Sequence, residues 1–197
     1  MSPRKYKMTK RAAAVEATRR RIVEATVAAH RELGIQATSW DEIADRAGVG
    51  VGTVYRHFPS LHELLPACGE VVADTLALPA PEDAPELFRG ARSTRERIKR
   101  LVAEIFGAYE RGAPFVWNVR REREDLPELE SYHRHVEGSF EALTREALAP
   151  LRPSERDVAV VRALTDVTTW TALTERFSFA EARNVTASLV ERWIRRR

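Results

Sequence analysis

The chain has 197 residues, a net charge of +3, one cysteine and no apolar run near the ~20 residues that span a bilayer. Length allows one large domain or two small ones. The lone Cys68 excludes an internal disulfide and a cysteine metal cage. The basic N-terminus has no apolar segment behind it, so a signal peptide is not expected and a cytoplasmic location is.

Residues 1–12 hold Arg4, Lys5, Lys7, Lys10 and Arg11 with no acid, and are expected to form a disordered basic arm. Helical periodicity then predicts a helix from Ala14 to Leu33, stopped by Gly34. A second helix covers 40–47, with Ser39 and Glu42 spaced as a capping box and Ile43, Ala44 and Ala47 on one face. Gly48 sits where this helix must stop, and Val49 is apolar inside the turn. A third, short helix over 51–57 has a buried stripe of Val54 and Phe58. Ser60 with Glu63 predicts another box, opening a helix over 61–78 with Pro66 inside it. Cys68, among Leu64, Leu65, Val71 and Val72, reads as a buried helix position, with a redox thiol as the alternative.

The segment from Leu78 to Pro85 is a proline-rich connector. Ser93 and Glu96 open a helix to Glu110 with Ile98, Leu101, Val102, Ile105 and Phe106 as its core face. Gly112 and Pro114 start another, carrying Phe115, Val116, Trp117 and Val119. Pro127 ends the acidic stretch Glu122–Asp125 and restarts a helix with Tyr132, Val136, Phe140 and Leu143. Ser154 caps a helix running through Val158, Val161, Leu164, Val167 and Ala172. Ser178 with Glu181 caps the last, with Val185, Leu189 and Trp193 four apart. His133 and His135 are two apart and face different sides of a helix, so they are poor co-ligands; His133 with Glu137 reads as an exposed ion pair. His30 reads as a partly buried core histidine. No metal site, cofactor motif, nucleophile–base pair or phosphate-binding glycine loop is present, so no catalytic residue is assigned. The pattern is all-α, about nine helices, with no strand alternation.

Helices over 40–47 and 51–57 joined by a glycine turn read as a helix-turn-helix, which places its second helix in the DNA major groove. The charge agrees: residues 1–66 carry 11 Lys/Arg against 7 Asp/Glu, and residues 67–197 carry 21 against 22. A soluble protein with a basic tail would show the same imbalance. Backbone N–H groups at Gly50 to Gly52 point toward phosphates, and Thr38 and Ser39 are placed to hold the other side of the groove.

The stretch from Ile22 to Leu65 resembles the DNA-binding region of the tetracycline-repressor (TetR) family of bacterial transcription regulators. The matching residues are Ile22 and Ala25, Gly34, Thr38-Ser39, Ile43-Ala44, Ala47-Gly48-Val49, Gly52-Thr53-Val54-Tyr55 and His57-Phe58-x-Ser60, up to Leu64. Three positions depart from the family pattern. Leu61 stands in place of a phosphate-gripping lysine, Gly50 in place of a serine, and His30 in place of a buried phenylalanine.

The resemblance implies a basic arm over 1–12, a DNA-binding domain over 13–66 and a helical ligand-binding and dimerisation domain over 67–197. It implies that Tyr55 and His57 hold phosphates, leaving Val51, Gly52, Thr53 and Arg56 as candidates for base edges. The expected partners are double-stranded DNA, a second copy of the chain and a small-molecule effector; no cofactor is expected. The last two helices would form the dimer surface through Val158, Val161, Leu164, Val167, Val185, Leu189 and Trp193, although periodicity equally allows them to close the monomer core. Some middle-helix aromatics would line an effector pocket: Phe106, Tyr109, Trp117, Phe140 and Trp170, with Asn118, Arg121 and His133 as polar candidates. Each ring fits ordinary core as well. A repressor is the implied function; a helical scaffold using the motif for protein contact, or a helical enzyme, are the alternatives.

Overall fold

The computed structural model describes residues 3–196, with side chains for residues 11–196. Ten α-helices account for most of it, and there is no strand among the described residues. The helices are α1 (Pro3–Leu33), α2 (Trp40–Ala47), α3 (Val51–His57), α4 (Leu61–Leu76) and α5 (Ala84–Leu87). They continue as α6 (Thr94–Glu122), α7 (Leu129–Leu148), α8 (Glu155–Leu164), α9 (Val167–Thr174) and α10 (Phe179–Ile194). The basic segment expected as a disordered arm is, from Pro3 onward, continuous helical backbone leading into α1. Met1 and Ser2 lie outside the described residues.

Two large apolar cores divide the molecule, beside a small third cluster of Ile35, Leu65 and Leu129. The first packs Ile22 and Val23 of α1 against Ile43, Ala44 and Ala47 of α2, Val54 of α3, Phe58, and Leu64 and Cys68 of α4. Arg19 of α1 lies over the Phe58 ring at 4.4 Å, closing the end of α3 against α1. The second core gathers Ile98, Leu101, Val102, Ile105, Phe106 and Tyr109 of α6 with Phe140 and Leu143 of α7, Val161 of α8 and Val190 of α10. Helix α4 belongs to both: its start is in the first core, while Leu76 is in the second. The two cores therefore share α4, the helix that also contains the boundary expected at residue 66. Pro66 is accommodated in one continuous helix.

Local chemistry sets most boundaries. Gly48 ends α2 in the left-handed region at φ 64°, where a Cβ would be strained. Ser39 and Ser93 accept from the backbone N–H of Glu42 and Glu96, and Ser178 with Glu181 forms a complete capping box. Ser60 occupies its N-cap without the expected side-chain bond. The break expected at Gly112 and Pro114 is a kink inside α6, with Gly112 at φ −148°, ψ 23°. A Cβ at Gly112 would lie 2.6 Å from Leu76 Cδ2, so the kink is also where α6 touches the end of α4. Arg111 secures that junction by donating to the Leu76 carbonyl. The single helix expected from Ser154 to Ala172 is two, because Asp166 caps a fresh start by accepting from the Thr168 N–H at 2.9 Å.

The turn after α1 is tied to α6. Gly34 has φ 94°, and a Cβ there would lie 2.7 Å from Glu122 Oε1. Gly34→Ala is expected to cost at least ~1–2 kcal/mol, from left-handed strain alone, read as a lower urea midpoint.

Candidate functional site

The local core decides which side of α3 is free. Val54 and Phe58 are buried; on the same helix Val51, Gly52, Tyr55 and Arg56 are exposed, and Thr53 and His57 are half-buried. The predicted face is therefore presented to solvent as one surface. Nothing lies within 4 Å of where a Cβ would stand at Gly50 or Gly52, so their backbone is open to close approach. Arg56 Nη2 donates to Thr53 Oγ1 at 2.9 Å, so the two candidate base readers form a pair on one turn of helix.

Tyr55 is 45% exposed and stacks at 4.9 Å between centroids on Trp40, at the start of α2. Its packing partner is thus α2, and Trp40 is a residue of this face that the sequence reading did not single out. Ser39, also exposed, accepts from the Glu42 N–H at 3.1 Å. Thr38 donates its hydroxyl proton to the Gly34 carbonyl at 2.6 Å, which fixes the turn before α2. Arg46, the one cation on α2, is engaged by Glu32 at 2.8 Å and Glu42 at 2.6 Å.

Residues 22–68 match the family model of bacterial regulatory proteins of the tetR family. Over these residues the chain is similar to the tetR family of DNA-binding transcriptional regulators. It is 27% identical over 155 residues to the HTH-type transcriptional repressor KstR of Mycolicibacterium smegmatis, covering 76% of this chain and 72% of that protein. The repressor of the same name from Rhodococcus jostii is 26% identical over 176 residues, covering 84% and 77%. Among solved structures, a transcriptional regulator from Rhodococcus aligns with TM-score 0.65 at 19% identity, over 87% of this chain and 95% of that one. FadR from Bacillus subtilis, in complex with stearoyl-CoA, aligns with TM-score 0.60 at 18% identity, over 86% and 96%. At these identities the structural matches speak to fold.

Behind the helix-turn-helix lies a cavity of about 120 Å³ bounded by α1, α4, α6 and α7. Of the predicted pocket residues, Asn118 and His133 line it. Phe106, Tyr109 and Phe140 do not: they lie on the α6 and α7 faces packed in the second core, at most 1% exposed. Trp170 is half-buried and stacks on Tyr109 at 5.9 Å, away from the cavity wall. Trp117 turns toward α9, its indole N–H donating to Thr171 Oγ1 at 3.3 Å. Arg121 is exposed and pairs with Glu122 at 2.7 Å. The cavity is instead walled by residues of α1, α4, the second half of α6 and α7, including His30, Cys68, Phe115 and Tyr132. One signal for this was in the sequence: Gly69 inside α4 costs helix stability, and the structure leaves no room for a Cβ between it and the Tyr132 ring.

A polar latch joins the cavity to the turn before α2. Asn118 Nδ2 donates to the His30 carbonyl at 2.7 Å. The buried Glu122 carboxylate accepts from the Gln36 N–H at 2.8 Å, and Gln36 Nε2 donates to Asp125 at 3.1 Å. The acidic stretch Glu122–Asp125 gave no sign of this role in the sequence; only tertiary contact reveals it. Glu137 pairs with Arg162 at 2.9 Å rather than with His133.

Of the residues expected at a dimer surface, Val158, Val161 and Val167 are buried in the chain's own core. Leu189 is 43% exposed, and Leu164, Val185 and Trp193 are half-buried. The α8 stripe turns inward because α7 and α10 cover it. Cys68 is buried, and burial pushes its thiol up to about 12, far from a reactive thiolate.

Burial lowers the His30 imidazole from 6.5 to about 4, against the opposing pull of the Glu122 carboxylate. Above pH 6.5 neither folded nor unfolded chain protonates this site. As pH falls toward 4 the unfolded chain binds the proton first, so the folded state loses stability, by at most ~1.4 kcal/mol per pH unit. His30→Phe is expected to remove that slope. Urea unfolding of both proteins at pH 7 and pH 4.5 checks it: an unchanged difference between them would contradict a buried neutral His30.

Proposed function

We propose that the protein acts as a homodimeric repressor whose two α3 helices enter successive major grooves of a pseudo-palindromic operator, and that a small molecule in the cavity releases it. The observation carrying the DNA reading is the division of α3: Val54 and Phe58 hold it to the body, while its other side stands free. Tyr55, braced on Trp40, and His57 are placed for backbone phosphates, and Val51, Gly52, Thr53 and Arg56 for base edges. Both KstR relatives carry the name of transcriptional repressors, which supports the direction of control. One short helix buries too little surface to bind tightly alone, and pairing two copies on a two-fold site supplies the rest. The exposed and half-buried residues Leu164, Val185, Leu189 and Trp193 on α8 and α10 are the surface proposed for that pairing. FadR binds stearoyl-CoA as its structure's name states, which supports a ligand-responsive role on this fold.

The latch supplies the coupling. A ligand that displaces the second half of α6 pulls on Asn118 and Glu122, and through them on the turn that sets the angle of α2 and α3. The ligand shifts the equilibrium only to the extent that it binds one geometry better than the other.

Genomic binding-site selection with the purified chain tests the reading. The recovered sites are expected to be two-fold symmetric, with affinity falling steeply as salt rises. Tyr55→Ala is expected to weaken all sites alike, while Arg56→Ala costs ~1–3 kcal/mol at one base pair and relaxes preference there. Uniform loss for Arg56→Ala would remove it from base reading, and salt-insensitive or absent DNA binding would favour a protein scaffold.

A further inference from the structure

The chemistry of the cavity restricts what can occupy it, and this restriction rests on the ligand-responsive reading above. Its walls are mostly apolar, with Val72, Leu76, Phe115, Leu129 and Val136 among them. The permanently charged groups at its rim are already paired, and the other side chains there that can carry a positive charge are the imidazoles of His30, His133 and His135. Arg120 Nη1 lies 3.0 Å from both oxygens of Asp166, and Glu137 lies 2.9 Å from Arg162. An entering carboxylate or phosphate would have to share Arg120 with Asp166, which also caps α9. Removing a charge from water without a partner is strongly unfavourable, so an anion gains little here.

What the cavity does offer is a small amount of neutral hydrogen bonding. The His30 ring makes no hydrogen bond among the described residues, and burial keeps it neutral at pH 7, with one N–H donor and one acceptor nitrogen. The Tyr132 hydroxyl likewise makes none among the described residues, and its ring is seated against Gly69. Size is the last constraint. A cavity of about 120 Å³ compares with the ~150 Å³ apolar cavity that accepts benzene.

We propose that this cavity binds a neutral, single-ring apolar molecule bearing one hydroxyl or carbonyl group, with that group directed at His30. An imidazole in this state serves either group, accepting from a hydroxyl or donating to a carbonyl. A long acyl chain or a coenzyme A thioester fits the small apolar cavity and its paired rim charges less well than a single neutral ring does.

The test uses the full chain and four probes: p-cresol, toluene, p-methylbenzoate and stearoyl-CoA, titrated by calorimetry at pH 7.5. p-Cresol is expected to bind tightest, and p-methylbenzoate at least about tenfold more weakly, because its charge finds no free partner. In His30→Phe the advantage of p-cresol over toluene is expected to vanish while toluene binding persists; a merely structural role for His30 would weaken both equally. Val72→Trp, confirmed folded by circular dichroism, is expected to abolish binding of both rings. Tighter binding of p-methylbenzoate or stearoyl-CoA than of p-cresol, or no binding of any probe to the wild-type chain, would overturn the proposal. Gel shift without probe reads the regulator function separately. A chain that shifts DNA but binds no ring loses only this inference, and one that binds p-cresol but no DNA loses only the regulator reading.

Discussion

The buried carboxylate of Glu122 is the contact on which the geometry of this molecule turns. It lies 5% exposed at the end of α6 and accepts from the Gln36 backbone N–H. Arg121 supplies its second partner. A carboxylate taken out of water must be bonded in this way or it destabilises the fold. The same group dictates its neighbour: Gly34 has no side chain, and its left-handed backbone brings the α1–α2 turn onto Glu122 where any Cβ would collide. The direction in which α2 and α3 leave α1 is therefore set by a residue nearly ninety positions away. A binding face that is otherwise local in sequence is oriented by the core behind it.

That dependence divides the molecule differently from the order of its helices. Helix α6 is one element by hydrogen bonding but two by packing. Before the Gly112 kink it buries Leu101, Ile105 and Phe106 in the second core; beyond it, Phe115, Asn118 and Glu122 face the cavity and the latch. Helix α4 mirrors this, beginning in the first core and ending pinned beneath Arg111 and Gly112. The cavity lies where these two shared helices pass between the cores. A change in its contents acts on both connections to the reading head at once.

Much of the reading head was legible from residues alone because its determinants are local. Gly48 must end α2, Ser39 must cap it, and Val54 with Phe58 leaves one side of α3 outward whatever the rest of the chain does. The features that were not legible depend on distant partners. Asp166 splits α8 from α9 through a cap that competes with a helical pattern continuous across it. Val158, Val161 and Val167 form a stripe that suits a dimer or a core equally, and only the placement of α7 and α10 turns it inward. The aromatics were drawn to the pocket by type, but Phe106, Tyr109 and Phe140 stack on one another instead. The cavity walls came from Gly69, Cys68 and His30, which carry no ligand signature of their own.

The small cavity also limits how strong a switch it can drive. Burying one ring-sized apolar group yields about 1.5–3 kcal/mol, and the coupling to DNA cannot exceed the difference in that energy between two geometries. Release per site is then bounded at roughly ten- to 150-fold. A hydrogen bond to the neutral His30 adds about 1 kcal/mol at most, and only if it forms in one geometry alone. Such a switch works best on an operator whose affinity is already modest. On the resemblance to the tetR family, Leu61 and Gly50 would each remove one phosphate contact, and a reading head with fewer fixed contacts would be the easier for a small ligand to dislodge.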